Sequence, residues 1–144
     1  MFQRANEKRE KKSRAKKLVP QEQIELELSK VVNLGNFECA YLFSEEGLLL
    51  AGVQGRSLFG HNEALEAYYS IHEGFSFLSE KEEFDGGQEI LMLARTRKRI
   101  SIRRFFAFGQ QVVLVLVIPR GKTFRAHANR LIRLIRLISR EVAG

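Results

Sequence analysis

Phe37-Glu-Cys-Ala-Tyr-Leu-Phe-Ser-Glu-Glu-Gly-Leu-Leu-Leu-Ala-Gly52 is the stretch that decides the fold of this 144-residue chain. Two apolar segments flank the short polar turn Ser44-Glu-Glu-Gly47, where glycine tolerates the positive φ of tight hairpin turns. The apolar residues alternate only loosely, which predicts that both faces of the hairpin are covered. We therefore expect a β-hairpin within a sheet that carries helices on both sides.

One helix and three strands are predicted after the hairpin. Apolar residues at spacings of three and four indicate a helix over residues 59–79. The strands are expected at residues 88–96, 99–108 and 111–118, and Pro119 ends the last one. Alternation in the middle strand breaks at Arg103-Arg104, which predicts either a β-bulge or a sheet covered on both faces.

A helix is predicted at each end of this core. The first begins near Pro20, a residue suited to the first helical turn, and has apolar residues at helical spacing: Ile24, Leu28, Val31 and Val32. The last runs from about Thr123 to Val142, with a buried face of Leu131, Leu134, Ile135, Ile138 and Val142. Its other side carries Arg130, Arg133, Arg136 and Arg140 within an arc of about 120°.

Charge is distributed unevenly along the chain, whose formal net charge is +7. Residues 1–17 have a net charge of +6, residues 18–94 of −11, and residues 95–144 of +12. The acidic and basic parts either compensate each other, within a subunit or across a dimer, or they serve an anionic partner.

Residues 1–19 read as a basic N-terminal extension, and residues 20–144 as one domain. The extension has no apolar periodicity, so we expect it to be flexible. It also lacks the apolar core of a secretory signal, and no segment approaches the length of a membrane span. The single cysteine, Cys39, fits a reducing compartment, so a cytoplasmic location is expected.

The helix at 59–79 has two apolar stripes, which need two coverings. One sheet supplies only one covering, and the strand at 88–95 is rich in Ile, Leu and Met. We therefore predict a homodimer built on residues 61–78 and 88–95. The predicted interface residues are Leu65, Tyr68, Tyr69, His72, Ile90 and Met92.

No residue pattern in the sequence is typical of catalysis, of a metal site or of a cofactor site. Gly121-Lys-Thr123 lacks the first glycine of a phosphate-binding loop, because Leu116 stands there inside a strand. The three histidines, His61, His72 and His127, are isolated. Cys39 reads as a packed core residue, and the acidic group at 80–85 as a solvated linker. We expect no enzymatic activity, no cofactor, no metal and no small-molecule substrate.

From Gln23 to Val142 the chain resembles the roadblock (dynein light-chain) family, which includes bacterial regulators of Ras-like GTPases. The resemblance lies in Tyr41-Leu-Phe-Ser-Glu-Glu-Gly-Leu-Leu-Leu-Ala51, in the strand Val112–Ile118, and in Pro119-Arg-Gly-Lys-Thr before the last helix. It implies a roadblock/profilin-like αββαβββα fold of class α/β (α+β): a five-stranded antiparallel sheet with helices on both faces. It also implies dimerisation through the middle helix and the next strand, and no active site.

The resemblance implies a non-catalytic dimeric interaction module that regulates or scaffolds a Ras-like small GTPase. The alternative is a basic module that binds nucleic acid or an anionic membrane surface. Both the extension and the basic density at residues 95–104 depart from the family pattern. The candidate residues for binding a partner or an anion are Arg97, Lys98, Arg99, Arg103, Arg104, Arg130, Arg133 and Arg136. A solvated helix face is the competing interpretation of the last three.

Overall fold

The computed structural model describes residues 18–84 and 86–143. In chain order the elements are helix α1 (Pro20–Asn33), strands β1 (Cys39–Ser44) and β2 (Leu49–Val53), helix α2 (His61–Ser79), a 3-10 turn (Glu82–Phe84), strands β3 (Glu89–Leu93), β4 (Arg99–Ala107) and β5 (Gln110–Ile118), and helix α3 (Arg125–Ala143). Residues 1–17, most of the predicted extension, lie outside the described part.

The strands form one antiparallel sheet in the order β2-β1-β5-β4-β3. The predicted αββαβββα order and the α+β class are therefore confirmed. β5 lies at the centre, and residues Val112–Ile118 are all buried. A central strand covered on both faces reads as a continuous apolar run, which is why this segment stood out in the sequence.

β4 contains no bulge at the two arginines. Its pairing with β5 continues without a shift through Arg103 opposite Leu114 and Arg104 opposite Val113. The second of the two predicted explanations is correct, because helices cover both faces of the sheet. Phe105 packs in the core under α1 and α3, whereas Phe106 lies on the α2 side.

The two faces of the sheet are covered unequally. α1 and α3 pack side by side on one face, over a core that includes Leu28, Leu42, Leu116 and Leu131. α2 alone covers the other face, over a smaller core that includes Tyr41, Phe43, Tyr68 and Val115. Because a single helix covers this face, apolar side chains of both α2 and β3 remain exposed.

β3 is shorter than the predicted strand at 88–96. The turn to β4 begins at Ala94, whose N–H donates to the Lys98 carbonyl. Arg97 lies in this turn with φ 72°, a left-handed conformation outside the strand region.

Candidate interaction surfaces

α2 has a buried side that faces the sheet and, next to it, a flank that is only partly buried. Ala64, Tyr68 and Phe75 are buried against the sheet. Tyr68, predicted as an interface residue, is only 2% exposed within the single chain, so it has almost no surface left to bury against a partner. Leu65 and His72 are half-buried on one flank of the helix, and Tyr69 beside them is half exposed.

Tyr69 holds α2 against the β1–β2 turn. Its hydroxyl donates to the Glu46 carbonyl at 3.1 Å. Gly47 in that turn has φ +88°, and a Cβ there would lie 1.9 Å from the Tyr69 hydroxyl oxygen. The turn therefore requires glycine for its conformation and for the close approach of the tyrosine. Tyr69 already has a role within the subunit, and the remaining half of its surface is available to a partner.

His72 contains a buried polar atom without a hydrogen-bond partner among the described residues. The atom is Nδ1, and the imidazole ring packs against Tyr68 with ring centroids 5.2 Å apart. A buried polar atom in this state loses its hydrogen bond to water without replacement. The side chain is therefore a weak point in the core under α2.

β3 is an uncovered apolar edge strand. It pairs with β4, and its other edge faces no strand in the described part of the chain. Leu91 is 41% exposed, Met92 58% and Leu93 59%. By alternation Ile90 and Met92 lie on the α2 side, and the two leucines on the other.

β3 and the opposite edge strand, β2, differ in their cover. α1 packs along β2, whereas no helix packs closely along β3 in the part of the chain that the structure describes. Leu91 and Leu93 lie within the predicted interface range 88–95, but of this strand only Ile90 and Met92 were named individually as interface residues. The run Ile90-Leu-Met-Leu93 has no polar position, and this signal pointed to a strand with apolar side chains on both faces.

The predicted anion-binding residues do not form one patch. Arg104 lies on the α2 side, with its guanidinium 4.0 Å from the Phe75 ring centroid and hydrogen bonds to Ser79 and the Gly87 carbonyl. Lys98 pairs with Glu38 at 3.1 Å. Arg99 stacks on Phe124 on the α3 side. Arg104 therefore serves the packing of α2, because its charged group is already engaged.

Three of the predicted arginines do converge, in a shallow cleft of about 460 Å³ between β4 and α3. Arg103, Arg133 and Arg136 line it, together with Ala126, Asn129 and Ile132. Arg103 donates to the Asn129 side-chain oxygen, and Arg136 lies over the Phe105 ring at 5.6 Å. No carboxylate lines this cleft, so its charge is available to an anionic group.

Ion pairs within the described residues account for little of the charge. They are Lys30–Glu27, Lys98–Glu38 and Arg125–Glu89. The carboxylates of α2 and the arginines of α3 lie on opposite faces of the sheet, so they do not neutralise one another within one chain. Among the described residues, compensation within one chain therefore involves only a few of these charges.

Cys39 has the character of a core thiol. It is fully buried, and this burial raises the pKa of the thiol from 9.0 to about 12. The thiol is therefore protonated near neutral pH and is a poor nucleophile. In the segment after β5, the strand ends at Ile118 and α3 begins at Arg125, so Gly121-Lys-Thr123 forms a turn.

The described residues contain no group of three or more His, Cys, Asp or Glu side chains placed to hold a metal ion. Glu80, Glu82 and Glu83 of the acidic linker are exposed, and Asp85 lies outside the described part. No helix among the described residues is both long and apolar enough to cross a membrane.

No protein-family model and no curated protein matches this sequence. Solved structures do match it. The gliding protein MglB from Thermus thermophilus is 17% identical, with a TM-score of 0.59 over 87% of this chain and 97% of that one. Myxococcus xanthus MglB is 10% identical, with a TM-score of 0.65 over 84% and 88%. A Roadblock/LC7 domain from Streptomyces avermitilis is 11% identical, with a TM-score of 0.63 over 83% and 98%.

These similarities extend over most of every chain compared. At identities of 10% to 17%, the similarities are evidence for the fold alone. The resemblance inferred from the hairpin, the central strand and the last helix is therefore confirmed: this chain has the roadblock fold.

Proposed function

We propose that this chain forms a homodimer that regulates or scaffolds a Ras-like small GTPase in the cytoplasm. It would act by presenting a surface, without contributing a catalytic residue. The roadblock fold supports the proposal, because the family that the sequence resembles includes bacterial regulators of such GTPases. The proposal of a dimer rests mainly on β3, an apolar strand at the edge of the sheet whose side chains are left exposed in the single chain.

Edge strands of this kind are a hazard in a monomer, because their free N–H and C=O groups pair with other chains. A symmetric partner that pairs with β3 would satisfy these groups and cover Leu91, Met92 and Leu93. Leu65, Tyr69 and His72 stand on one flank of α2, where a second α2 would pack. The interface would therefore combine one strand and one helix from each subunit.

Leu91→Lys combined with Leu93→Lys tests the dimer. Both side chains are exposed in the single chain, so the fold is retained, whereas lysines brought together across a symmetric pair of strands repel. We expect a monomer by light scattering at concentrations where the wild type is a dimer.

Leu58→Lys is the matched control for this test, because Leu58 is a loop residue that is 94% exposed. It should remain dimeric. Leu65→Asp with Tyr69→Asp would also disrupt a dimer, but Tyr69 anchors α2 within the subunit, so this pair confounds folding with association. A well-folded wild-type monomer at high micromolar concentration would refute the dimer.

Binding to small GTPases from the same genome, loaded with GTP or GDP, tests the partner. We expect the wild type to bind one of them in a manner that depends on the nucleotide, as contacts to switch segments would produce. The Leu91→Lys/Leu93→Lys variant should bind more weakly if the surface spans both subunits. Failure to bind any of these GTPases, together with tight and salt-sensitive binding of nucleic acid, would replace this proposal with the basic-module alternative.

Charge reversal would show how the basic residues take part. Arg97→Glu with Arg103→Glu should lower the association rate with an acidic partner more than it changes dissociation, and less so at high salt. Arg104 is left in place because its guanidinium packs on Phe75. Unchanged association would place the contact on α2 instead.

A further inference from the structure

The outer side of α2 carries a line of carboxylates. Glu63, Glu66 and Glu73 are exposed, and so are Ser70 and Phe77 on the same side. At 100° per residue these five positions fall within an arc of about 80° centred opposite the buried Tyr68. This line, here called the acid stripe, therefore points away from the sheet, and it is separate from the flank of Leu65, Tyr69 and His72.

The outer side of α3 carries the complementary charge. Arg130, Arg133, Leu137 and Arg140 are exposed, and they fall within an arc of about 80° opposite the buried Leu131 and Ile135. None of these arginines pairs with a carboxylate among the described residues. We call this line the arginine stripe; the cleft of Arg103, Arg133 and Arg136 adjoins it.

The two stripes have the same spacing. Glu63, Glu66 and Glu73 are separated by three and seven residues, and Arg130, Arg133 and Arg140 by the same three and seven. Two helices laid side by side in parallel would therefore bring each glutamate opposite an arginine, with Ser70 opposite Leu137. Glu63 also accepts a hydrogen bond from the Gly60 N–H through one oxygen, which leaves its second oxygen for an arginine.

One chain cannot join its own stripes, because α2 and α3 lie on opposite faces of the sheet. We propose that the arginine stripe of one copy docks on the acid stripe of another copy of this chain. Such a contact joins two different surfaces, so it repeats head to tail and builds either a ring or an open chain, depending on the rotation between neighbouring copies. The proposal concerns a surface other than the β3 dimer edge and requires no GTPase.

A second copy fits the arginine stripe better than a flat anionic surface does. α1 runs beside α3, and its exposed Glu22 lies about 160° from the buried Ile24. A membrane approaching this face would therefore meet a carboxylate that it repels as well as the arginines. Single-stranded nucleic acid would call for exposed aromatic residues among the charges, on which its bases stack. On this face Phe105 and Phe124 are both buried.

Exposed ion pairs are individually weak and are screened by salt. The contact should therefore form at low salt and high protein concentration, and it gains strength if dimers present two stripes at once. We expect the mass of the full chain in sedimentation velocity to grow with concentration at about 0.02 M salt. At about 0.5 M salt, where the Debye length is only a few ångströms, the growth should disappear.

Reversing one stripe at a time identifies the contact. Glu66→Arg with Glu73→Arg, or Arg133→Glu with Arg140→Glu, should each abolish growth, because both stripes then carry the same sign. Growth should return in a 1:1 mixture of the two variants, where every contact again joins opposite charges. It should also return in the fourfold variant, whose net charge equals that of the wild type.

The controls carry the same charge changes outside the stripes. Glu82→Arg with Glu83→Arg, and Arg95→Glu with Arg120→Glu, alter exposed residues and should leave growth intact. The neutral double variant Glu66→Gln with Glu73→Gln should weaken the growth of mass with concentration. It takes the place of the charge-reversed variant if that variant folds poorly. A wild type whose mass is independent of concentration at low salt would overturn the proposal. The proposal would also be overturned if the mass of the fourfold variant did not grow with concentration. It would be overturned as well if the control variants lost this growth to the same extent as the stripe variants. The measurement uses this chain alone, so it stands apart from the GTPase test.

Discussion

The two faces of the sheet differ in how completely their apolar side chains are buried. Under α1 and α3 the core is continuous, and large side chains such as Leu28, Leu42 and Leu131 are at most 2% exposed. Under α2 the core is smaller and leaves Tyr69, Phe77 and Leu78 about half exposed. On the same side, the buried His72 Nδ1 has no hydrogen-bond partner among the described residues. Among the described residues, the first face contains more of the buried apolar side chains than the second. The second leaves more apolar surface of its covering helix exposed, and this is the surface proposed above for dimerisation.

The largest predicted contrast comes from truncating a leucine on each face. Leu131→Ala removes a fully buried side chain and should lower the free energy of unfolding by about 3 kcal/mol. Leu65→Ala removes a half-buried one and should cost about 1 kcal/mol. Urea denaturation of the two variants, each made in the Leu91→Lys/Leu93→Lys background, measures the difference without a contribution from dimer dissociation. Equal losses would show that the α2 layer is as well packed as the other.

Gly47→Ala tests the attachment of α2 to the hairpin. The new Cβ would be strained at φ +88° and would displace the Tyr69 hydroxyl, so we expect a loss of about 1–2 kcal/mol. Tyr69→Phe removes the hydrogen bond to Glu46 alone and should cost less, about 0.5 kcal/mol. If Gly47→Ala were neutral, the approach of Tyr69 to this turn would not contribute to stability.

Alkaline pH should weaken the α2 face. Burial raises the pKa of both Cys39 and Tyr41 to about 12, above their ordinary values of 9.0 and 10.0. The folded state therefore holds these protons more tightly than the unfolded state does. Their contribution is complete below pH 9, and it is lost as the pH rises from 9 to about 12.

The expected loss due to Cys39 is about 1 kcal/mol at pH 10. Urea midpoints of the wild type and of Cys39→Ala, compared at pH 8 and pH 10, isolate this part. The alanine variant should lose less stability over the interval, whatever its stability at pH 8. Identical pH dependence in the two proteins would exclude the thiol as the cause.

The smallest effect is predicted at His72. His72→Leu replaces a side chain whose Nδ1 is buried without a partner among the described residues. Removing an unsatisfied polar atom is neutral or stabilising, by up to about 1 kcal/mol. Thermal unfolding measures the change, and His72→Asn, which keeps a polar group, is the control. A marked loss in the leucine variant would indicate a hydrogen bond to the imidazole.

The sequence predicted the elements well where one rule applied without competition. α3 follows a helical repeat, and β5 follows the pattern of a strand buried on both faces, so both were placed nearly as observed. In the sequence, Leu78 continues an apolar repeat at spacings of four and three that consists of Ala64, Tyr68, Ile71, Phe75 and Leu78. This repeat predicts that Leu78 is buried with the others, but it is 49% exposed. At 100° per residue it lies about 60° from Phe75, on the flank of the helix. The helical spacing predicted roughly which side of α2 Leu78 occupies. It could not predict how far the sheet beneath the helix extends, and this decides whether Leu78 is covered.

The candidate site was harder to predict, because it depends on contacts between distant residues. Arg103 and Arg104 are neighbours in sequence, and both were predicted as candidate residues for binding a partner or an anion. Alternation along β4 sends them to opposite faces, where one meets Asn129 of α3 and the other meets Phe75 of α2. Which arginines are free is decided by these partners, which lie more than twenty residues away in the sequence.

The pairing of β1 with β5 has a consequence for synthesis of the protein. Cys39 lies opposite Val117, and the whole of β1 pairs with residues 112–117. The β1–β2 hairpin therefore leaves the ribosome long before β5 does. Its apolar residues remain without their β5 partner until the last third of the chain has been synthesised. Non-local pairing of this kind folds slowly and exposes intermediates that are prone to aggregate. We expect nascent chains that stop before β5 to depend on chaperones.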